Sequence, residues 1–496
     1  MNKIYKFGLL SALALISFSC GDDFLEDPAL EGSASLTSAQ LEQAANVDPA
    51  VINGLISGVY SLTFTTSTGG TTGHDDFGHK SYDVFSDMLS GDIALSTSTY
   101  GWYRSSITEF QGPLDFTFGD NRQVWRYYYR IIRGCNEVID GLGGTDIVPE
   151  NQDNKYIMGQ AKALRAHSYF YLTQFYQKGY DATEEILPLY TDAITPNGPK
   201  VAASVIYDQM ESDLSEAITL LDGFNRSNKT QINKSIAQGV YAYVLGARGT
   251  DYSKAYDMAI AAISGYTVMS GAELTGGFND VSTPGWMWGV DLNDEIGLGL
   301  ISWWGQMDYY SYSYPAFGDA KSMDQDLFDA IPATDLRKEQ FYNGAGEYEH
   351  LMPLFKFYDA DRERYGSSRI VKADYVYMRV AEMHLLAAEF AAKSGNEASA
   401  QTNLKALVSQ RVPDASYIDA LSGPALQSEI YLQTRIELWG EGKSYLAMKR
   451  NKATVTRGSN HLSFVGEAIP YNDERLTFEI PEGEIQFNPF ISTQNN

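Results

Sequence analysis

The stretch WRYYYRIIRGCNEVID, residues 125–140, decides the fold. Apolar residues recur in it, and just before it, at positions 124, 125, 128, 131, 132, 135, 138 and 139. Intervals of three and four residues place these side chains on one face of an α-helix. The stretch therefore predicts an amphipathic helix, in which Cys135 is a small buried residue and not a reactive thiol.

The same period continues on both sides of this stretch. It predicts helices over about 48–62, 153–177, 201–221, 234–249, 252–264, 375–394, 397–411 and 425–450. In the 234–249 segment small residues such as Ala237 and Gly239 stand between larger ones, a pattern similar to tetratricopeptide helix pairs. We predict a mostly α protein, in which degenerate tetratricopeptide-like helix-turn-helix repeats form a scaffold over about 120–265 and 375–450.

Two long segments, about 63–120 and 266–372, lack sustained helical periodicity and are predicted to be loop-rich insertions. The second holds four of the seven tryptophans and a run of tyrosines: Trp286, Trp288, Trp303, Trp304, Tyr309, Tyr310, Tyr312 and Tyr314. Tyr and Trp combine an apolar face with a polar edge, which suits ligands that are half apolar and half hydroxylated. Because loops on a rigid frame often carry function, we expect these insertions to hold the ligand site.

Composition excludes several classes of protein. The 496 residues are 44% apolar, enough for a large core, and the net charge of −26 argues against nucleic acid as a partner. No uninterrupted apolar run approaches eighteen residues, so no transmembrane helix is predicted.

Motifs for catalysis or cofactor binding are missing from the sequence. It contains no His-Glu-x-x-His, Gly-x-Ser-x-Gly, Walker A or dinucleotide pattern, and we predict neither a cofactor nor a catalytic residue. A metal site formed by His74, Asp75, Asp76 and His79 is a minor alternative to no metal at all. The 63 acidic residues leave a glycosidase carboxylate pair open, although nothing singles one out.

The N-terminus has the pattern of a secretion signal. Lys3 and Lys6 precede an apolar stretch of about ten residues, and SFSC follows at 17–20. This resembles a bacterial lipobox, which predicts a signal peptide over 1–19, lipidation of Cys20, a tether over 20–45 and a single domain over 46–496. The alternative is an ordinary cleaved signal with an incidental cysteine.

Four strings carry a wider resemblance: AKALRAHSYFYL at 161–172, YMRVAEMHLLAAE at 377–389, RIELWGEGKSYLAMKR at 435–450 and FEIPEGEIQFNP at 478–489. Together with Cys20 and DFLE at 23–26, they resemble the SusD/RagB family of outer-membrane nutrient-binding lipoproteins over nearly the whole chain. His384 lies in the second string and is expected to pack in the core or a groove. Charged residues of the third string are expected to interlock elements of the scaffold: Arg435, Glu437, Glu441 and Lys449.

The resemblance implies a lipid-anchored protein on the outer face of the outer membrane. Such proteins act as the lid of a SusC-like TonB-dependent transporter, bind oligosaccharides and do not break bonds. Their ligand sites lie in the early loop and the central insertion, which here adds Tyr100, Trp102 and Tyr103 to the insertion aromatics. Capture of peptides or another nutrient by the same architecture is the first alternative, and a surface glycosidase is the second.

Not all of these rings are expected to face a ligand. In an extended segment, Trp286 and Trp288 share one side, whereas Trp303 and Trp304 point to opposite sides. We therefore expect Trp102, Trp286 and Trp288 to form the main platform, with only one of Trp303 and Trp304 contributing.

Overall fold

Helices dominate the computed structural model, which describes residues 41–44, 48–360, 362 and 370–495. The helices of eight or more residues are α1 (Ala50–Ser61), α2 (His79–Leu89), α3 (Gly119–Asp140), α4 (Gln152–Tyr176), α5 (Ala203–Leu220), α6 (Lys234–Arg248), α7 (Tyr252–Ile263), α8 (Val380–Lys393), α9 (Glu397–Val408), α10 (Gly423–Glu437) and α11 (Ser444–Asn451). The predicted, mostly helical fold class is confirmed. Cys20 and the predicted signal peptide lie outside the described residues.

The long helices form a layered scaffold. Each helix from α3 to α7 packs against the next, and α7 packs against α8 although residues 264–379 lie between them. Gly246 permits the close approach of α6 and α8, because a Cβ there would stand 2.2 Å from the ring of Phe390. The repeat scaffold is therefore interrupted by the central insertion and resumes on the far side of it.

The apolar stripe of α3 is buried as predicted. Its side chains join a core that runs from Ile52 in α1 to Ile491 near the C-terminus. Cys135 is fully buried and free, and burial raises the pKa of its thiol well above the ordinary value. No helix in the described ranges is long and apolar enough to cross a membrane.

Eight short strands pair into four antiparallel two-stranded sheets within the described part of the chain. The pairs are β1 (Ile93–Leu95) with β5 (Lys321–Met323), β2 (Glu185–Pro188) with β3 (Lys200–Ala202), β4 (Trp286–Val290) with β6 (Tyr375–Arg379), and β7 (Thr454–Thr456) with β8 (Ala468–Pro470). Shorter helical segments occupy Arg104–Thr108, Gln111–Leu114, Gly271–Thr275, Trp303–Met307, Tyr314–Phe317, Gln325–Asp329, Leu336–Gln340, Ser416–Ala420, Glu474–Leu476 and Glu482–Phe487.

Two predicted boundaries are wrong. The segment 63–120 is not all loop, because it contains α2, every residue of which is buried. The predicted helix over 425–450 is two helices, and between them Gly440 and Gly442 have φ of 78° and 75°. A Cβ on Gly442 would stand 2.2 Å from the carboxylate of Asp83, so the turn also lets α2 approach closely.

Candidate functional site

A two-stranded ribbon brings the early loop and the central insertion together. In the antiparallel pair of β1 and β5, Leu95 lies opposite Lys321. The residues that follow β1 must therefore run beside those that precede β5. The hydrogen bonds continue beyond the strands, from Ser96 N to Ala320 O at 3.0 Å and from Thr97 Oγ1 to Gly318 O at 3.1 Å.

Asp319 fixes the loop that leaves β1. Its buried carboxylate Oδ1 accepts hydrogen bonds from the backbone amides of Thr99, at 2.6 Å, and Tyr100, at 2.9 Å. Three residues after Tyr100, Tyr103 has a φ of 64°, an uncommon conformation for a bulky side chain. Its ring is buried, with Lys321 Nζ 5.0 Å from the ring centroid, while Trp102 beside it stays partly exposed. Tyr103 therefore anchors the loop, and its predicted contact with ligand is wrong.

Aromatic rings from three segments meet at the end of this ribbon. Ring contacts join His74, Tyr100, Trp102 and Tyr314, and Tyr312 contacts Phe317 in the segment that also carries Tyr314; we call this set the aromatic patch. The imidazole of His74 stacks on Trp102 with centroids 5.2 Å apart and an interplanar angle of 8°. The ring of Tyr314 meets Trp102 edge-on at 5.8 Å and Tyr100 at 5.4 Å.

Exposure distinguishes the outer rings of the patch from the inner ones. Tyr100 is 58% exposed, Phe317 43% and Tyr312 37%, whereas Tyr314 is 7% exposed and supports the others from below. Large apolar side chains held at the surface in one cluster commonly mark a binding site. The arrangement offers flat, half-polar faces to a ligand.

Hydrogen bonds and burial fix the centre of the patch. Tyr314 Oη lies 2.6 Å from His74 Nδ1, and Gln306 Nε2 donates to the backbone carbonyl of His74 at 2.9 Å. Burial lowers the pKa of His74 and raises the pKa of Tyr314, so both side chains are neutral near pH 7. Thr99 and Arg104 are exposed in the same loop and offer hydrogen-bonding groups beside the rings.

The structure corrects the prediction for Trp286 and Trp288. Both are buried, at 0% and 2% exposure, because β4 is covered on both faces and not just one. Trp288 packs against His167 and Tyr377, each 5.1 Å away between centroids, and its Nε1 donates to Thr230 O at 2.9 Å. These two rings build the core between scaffold and insertion and cannot stack on a ligand.

Trp303 and Trp304 are also buried, at 2% and 1% exposure. They begin the helical segment Trp303–Met307, so the premise of an extended chain is wrong and neither ring faces out. Trp303 lies between the ring of Phe357, at 4.7 Å, and the ammonium of Lys80, at 4.8 Å. The insertion is therefore packed into the core and is not a set of loops laid over it.

The predicted tyrosines have different environments. Tyr309 is buried and donates to Glu349, so its predicted role in binding is wrong. Tyr310 is partly buried and accepts a hydrogen bond from Arg362 Nη2 at 3.3 Å. Of the predicted aromatic residues, Tyr100, Trp102, Tyr312 and Tyr314 belong to the patch. His74 and Phe317 were not predicted, because no local pattern links two single residues more than 200 positions apart.

The minor metal alternative is not supported by the described geometry. His74 belongs to the patch, whereas Asp76 accepts hydrogen bonds from the backbone amides of Gly69, at 2.8 Å, and Thr71, at 3.0 Å. His79 is buried among aromatic rings in α2. The residues described here contain no group of three or more His, Cys, Asp and Glu that could hold a metal ion.

The charged residues of the 435–450 string support the ribbon from behind. Arg435 Nη2 contacts Asp92 Oδ1 at 2.6 Å, and Trp439 Nε1 donates to Asp92 O, also at 2.6 Å. Asp92 immediately precedes β1, so this contact holds the strand that carries the Trp102 loop. Lys449 donates to the carbonyls of Gln174 and Gln177 at the end of α4, as the predicted interlock requires. His384 is partly buried on α8, and burial lowers its pKa.

The structure so far defines a helical repeat protein that carries an aromatic patch at its loop end. Comparison with known proteins makes the family specific. A family model described as starch-binding and associating with the outer membrane, SusD-like_3, matches residues 83–245, and the SusD family model, SusD_RagB, matches residues 341–495. Together they cover more than half of the chain, which belongs to the SusD family.

Similar proteins share the fold. A SusD-like carbohydrate binding protein from Bacteroides vulgatus superposes with a TM-score of 0.75 at 24% identity, covering 89% of this chain and 97% of that one. Surface glycan-binding protein A from Bacteroides thetaiotaomicron, solved in complex with laminarihexaose, gives a TM-score of 0.67 at 16% identity, covering 90% and 99%. SusD-like protein P25 from Formosa agariphila is 26% identical over 215 residues, which are 43% of this chain and 37% of that relative's length.

Proposed function

We propose that this protein binds oligosaccharides at the aromatic patch and does not cleave them. The observation that carries the proposal is the ring cluster at the end of the β1/β5 ribbon, where Tyr100 and Trp102 both contact Tyr314 and Tyr312 is exposed in the same segment as Tyr314. Pyranose rings present apolar C–H faces to such rings, while their hydroxyls reach polar groups at the ring edges. The family membership, and the laminarihexaose bound by a relative of the same fold, support a saccharide ligand.

The environment of Asp319 supports binding without catalysis. Glycoside hydrolysis needs two carboxyl groups about 5–10 Å apart that face the bond to be cleaved. Asp319, which lies under the patch loop, is buried and serves two backbone amides. The patch therefore supplies contact area and orientation, and Asp319 does not serve as a member of a catalytic acid–base pair.

We further propose that Cys20 carries a lipid anchor at the outer face of the outer membrane. There the protein would act as the lid of a SusC-like TonB-dependent transporter and pass bound oligosaccharides to it. Replacing Cys20 with Ala should release the protein from the membrane fraction, and affinity purification of the native protein should recover the transporter. Membrane association that survives Cys20→Ala, or a native protein without lipid, would contradict the anchor.

Titration calorimetry with a panel of neutral oligosaccharides tests the patch directly. We expect Trp102→Ala to weaken the best ligand about tenfold or more, roughly 1.4 kcal/mol, with little change in melting temperature. Tyr417→Ala is the matched control, because Tyr417 is 42% exposed but lies outside the patch. Trp288→Ala should instead lower the melting temperature, because it removes a buried ring from the core.

Three results would count against the proposal. Unchanged affinity in both Trp102→Ala and Tyr100→Ala would place the site elsewhere. Release of smaller sugars by the purified protein would show catalysis. Tighter binding of cationic peptides than of any sugar would favour peptide capture, the alternative that the net charge of −26 supports.

A further inference from the structure

The exposed face of α3 carries a row of arginines. Arg122, Arg126, Arg130 and Arg133 follow one another at intervals of four, four and three residues, and all four are exposed. These intervals place the side chains on one face, where like charges repel one another and destabilise the helix. Such a row is unusual in a chain whose net charge is −26, and it is unfavourable unless an anion offsets it.

The row borders a cavity of about 450 Å³, within the size range of small-ligand sites. We call it the arginine groove; its lining includes Arg126, Arg130 and Arg133 from α3, Tyr129 and Tyr190, and Thr68 from the preceding loop. Tyr129 and Tyr190 are partly exposed, with ring centroids 5.9 Å apart. The groove therefore combines cations with half-polar aromatic faces.

The charge of the groove is incompletely neutralised. Among the described residues, no carboxylate lies within 4.0 Å of the Arg126 or Arg130 guanidinium, whereas Arg133 Nε contacts Glu137 at 3.1 Å on the surface. Two carboxylates, Asp192 and Glu484, also line the groove and balance part of its charge, but among the described residues neither lies within 4.0 Å of the Arg126 or Arg130 guanidinium. The Asp192 carboxylate accepts hydrogen bonds from the backbone amides of Ile194 and Thr195, and the Glu484 carboxylate accepts one from Asn488 Nδ2 at 2.7 Å.

The loop that precedes α2 leaves room for Arg126. Gly70 has a φ of 79°, and a Cβ there would stand 2.6 Å from Arg126 Cζ. Arg130 Nη1 donates to the carbonyl of Thr68 at 3.5 Å. The guanidinium of Arg126 thus lies against bare backbone, where it keeps its donors for a ligand.

We propose that the arginine groove binds acidic groups, carboxylate or sulfate ester, on a charged oligosaccharide. This inference rests on the proposed function for the saccharide class of the ligand. Guanidinium groups bind both anions with paired, charge-assisted hydrogen bonds, and the tyrosine faces suit sugar rings.

A saccharide fits the groove better than an acidic protein surface does. Protein partners bury about 800 Å² on each side of a mostly flat interface, whereas this site is a concave cavity. Thr68 in the groove and His74 in the aromatic patch belong to one loop, and six residues span at most about 20 Å. The patch and the groove are therefore linked by a short stretch of backbone.

The test compares two double variants by titration calorimetry. Arg126→Gln/Arg130→Gln removes two charges from the groove, and Lys234→Gln/Lys405→Gln removes two partly exposed helix charges elsewhere as the control. The probes are a hexameric oligogalacturonate, a chondroitin sulfate hexasaccharide, a neutral glucan hexamer and hexaglutamate. The two acidic sugars distinguish carboxylate from sulfate recognition.

We expect the groove variant to weaken at least one acidic sugar tenfold or more, with the control within twofold and the neutral glucan unaffected. Binding of the acidic sugar should also weaken as salt rises. The proposal is overturned if neither acidic sugar binds, if the control loses as much, or if hexaglutamate binds as tightly and is lost in the same variant.

The same experiment separates this proposal from the patch. One outcome is that acidic sugars bind in a way that depends on the arginines and survives Trp102→Ala, while no neutral sugar binds. It would support the arginine groove as a binding site and contradict the proposed binding at the aromatic patch. Binding of every sugar that depends on Trp102 and not on the arginines would do the reverse.

Discussion

At the scale of single residues, buried charges are held by several partners at once. Glu389 in α8 is almost fully buried, with Arg450 Nη2 3.0 Å and Lys393 Nζ 2.8 Å from its carboxylate. Burial alone would raise the pKa of Glu389, but the two cations hold it at about 2, below the ordinary value of 4.5. A carboxylate with a depressed pKa stabilises the fold above pH 4.5, and this stabilisation is lost as the pH falls toward 2.

We predict that Glu389 contributes about 3 kcal/mol to the acid sensitivity of the fold. The free energy of unfolding, measured by urea titration at several values between pH 3 and pH 6, should fall less steeply in Glu389→Gln than in the native protein. Glu150→Gln, at an exposed position, is the control and should follow the native curve. Parallel curves for native protein and Glu389→Gln would contradict the pKa shift.

The tryptophans show that sequence alone does not predict which individual side chains are buried. Glycine-rich, aperiodic sequence around Trp286 and Trp303 predicted exposed loops, but burial depends on what covers a segment from elsewhere in the chain. Trp288 is covered by His79 and His167, which lie more than 100 residues before it. Trp102 was predicted as a site residue, and the structure places it at the surface with partners that its own neighbourhood does not specify.

At the scale of elements, long helices were predictable and short strands were not. The apolar stripe of α3 repeats over about four turns, which is enough to define a period, whereas β1 and β5 have three residues each. These strands nevertheless decide the site, because their register joins the Trp102 loop to the segment 312–320.

We predict that Asp319 controls the affinity of the patch by holding the Trp102 loop. Asp319→Ala leaves the amides of Thr99 and Tyr100 without their acceptor, and the loop should move to pair them with water. Affinity for the best oligosaccharide should fall about tenfold, with a loss of stability of about 1–3 kcal/mol. Calorimetry and thermal melts measure the two effects.

Two variants make this prediction specific. Asp319→Asn keeps an acceptor oxygen and should recover most of the affinity. Asp414→Ala removes a similar side-chain contact, to Ser416 N at 2.8 Å, from a turn outside the patch, and it should leave binding unchanged. Equal affinity in Asp319→Ala and the native protein would show that the loop does not need this contact.

At the scale of the whole molecule, one carboxylate ties the repeat scaffold to the insertion. Glu437, at the end of α10, contacts Arg411 at 2.8 Å, Arg379 at 3.0 Å and Arg337 at 3.3 Å. These arginines come from the segment after α9, the end of β6 and the central insertion. Burial opposes ionisation of Glu437, but the arginines hold its pKa well below the ordinary value.

We therefore predict that Glu437→Gln destabilises scaffold and insertion together. It removes the charge that neutralises buried guanidinium groups, a change that typically costs about 3–5 kcal/mol. Helical circular dichroism reports on the scaffold, and tryptophan fluorescence is dominated by buried rings, several of which, such as Trp303 and Trp304, lie in the insertion. Both signals should shift to lower denaturant concentration and stay coincident, because the contact joins both parts in one cooperative unit.

Glu467→Gln, which breaks the more exposed pair with Arg475, should shift neither signal by more than a small amount. A shift of the fluorescence midpoint without a shift of the helical midpoint would contradict this prediction. The insertion would then unfold separately from the scaffold, and Glu437 would stabilise only the residues packed around it.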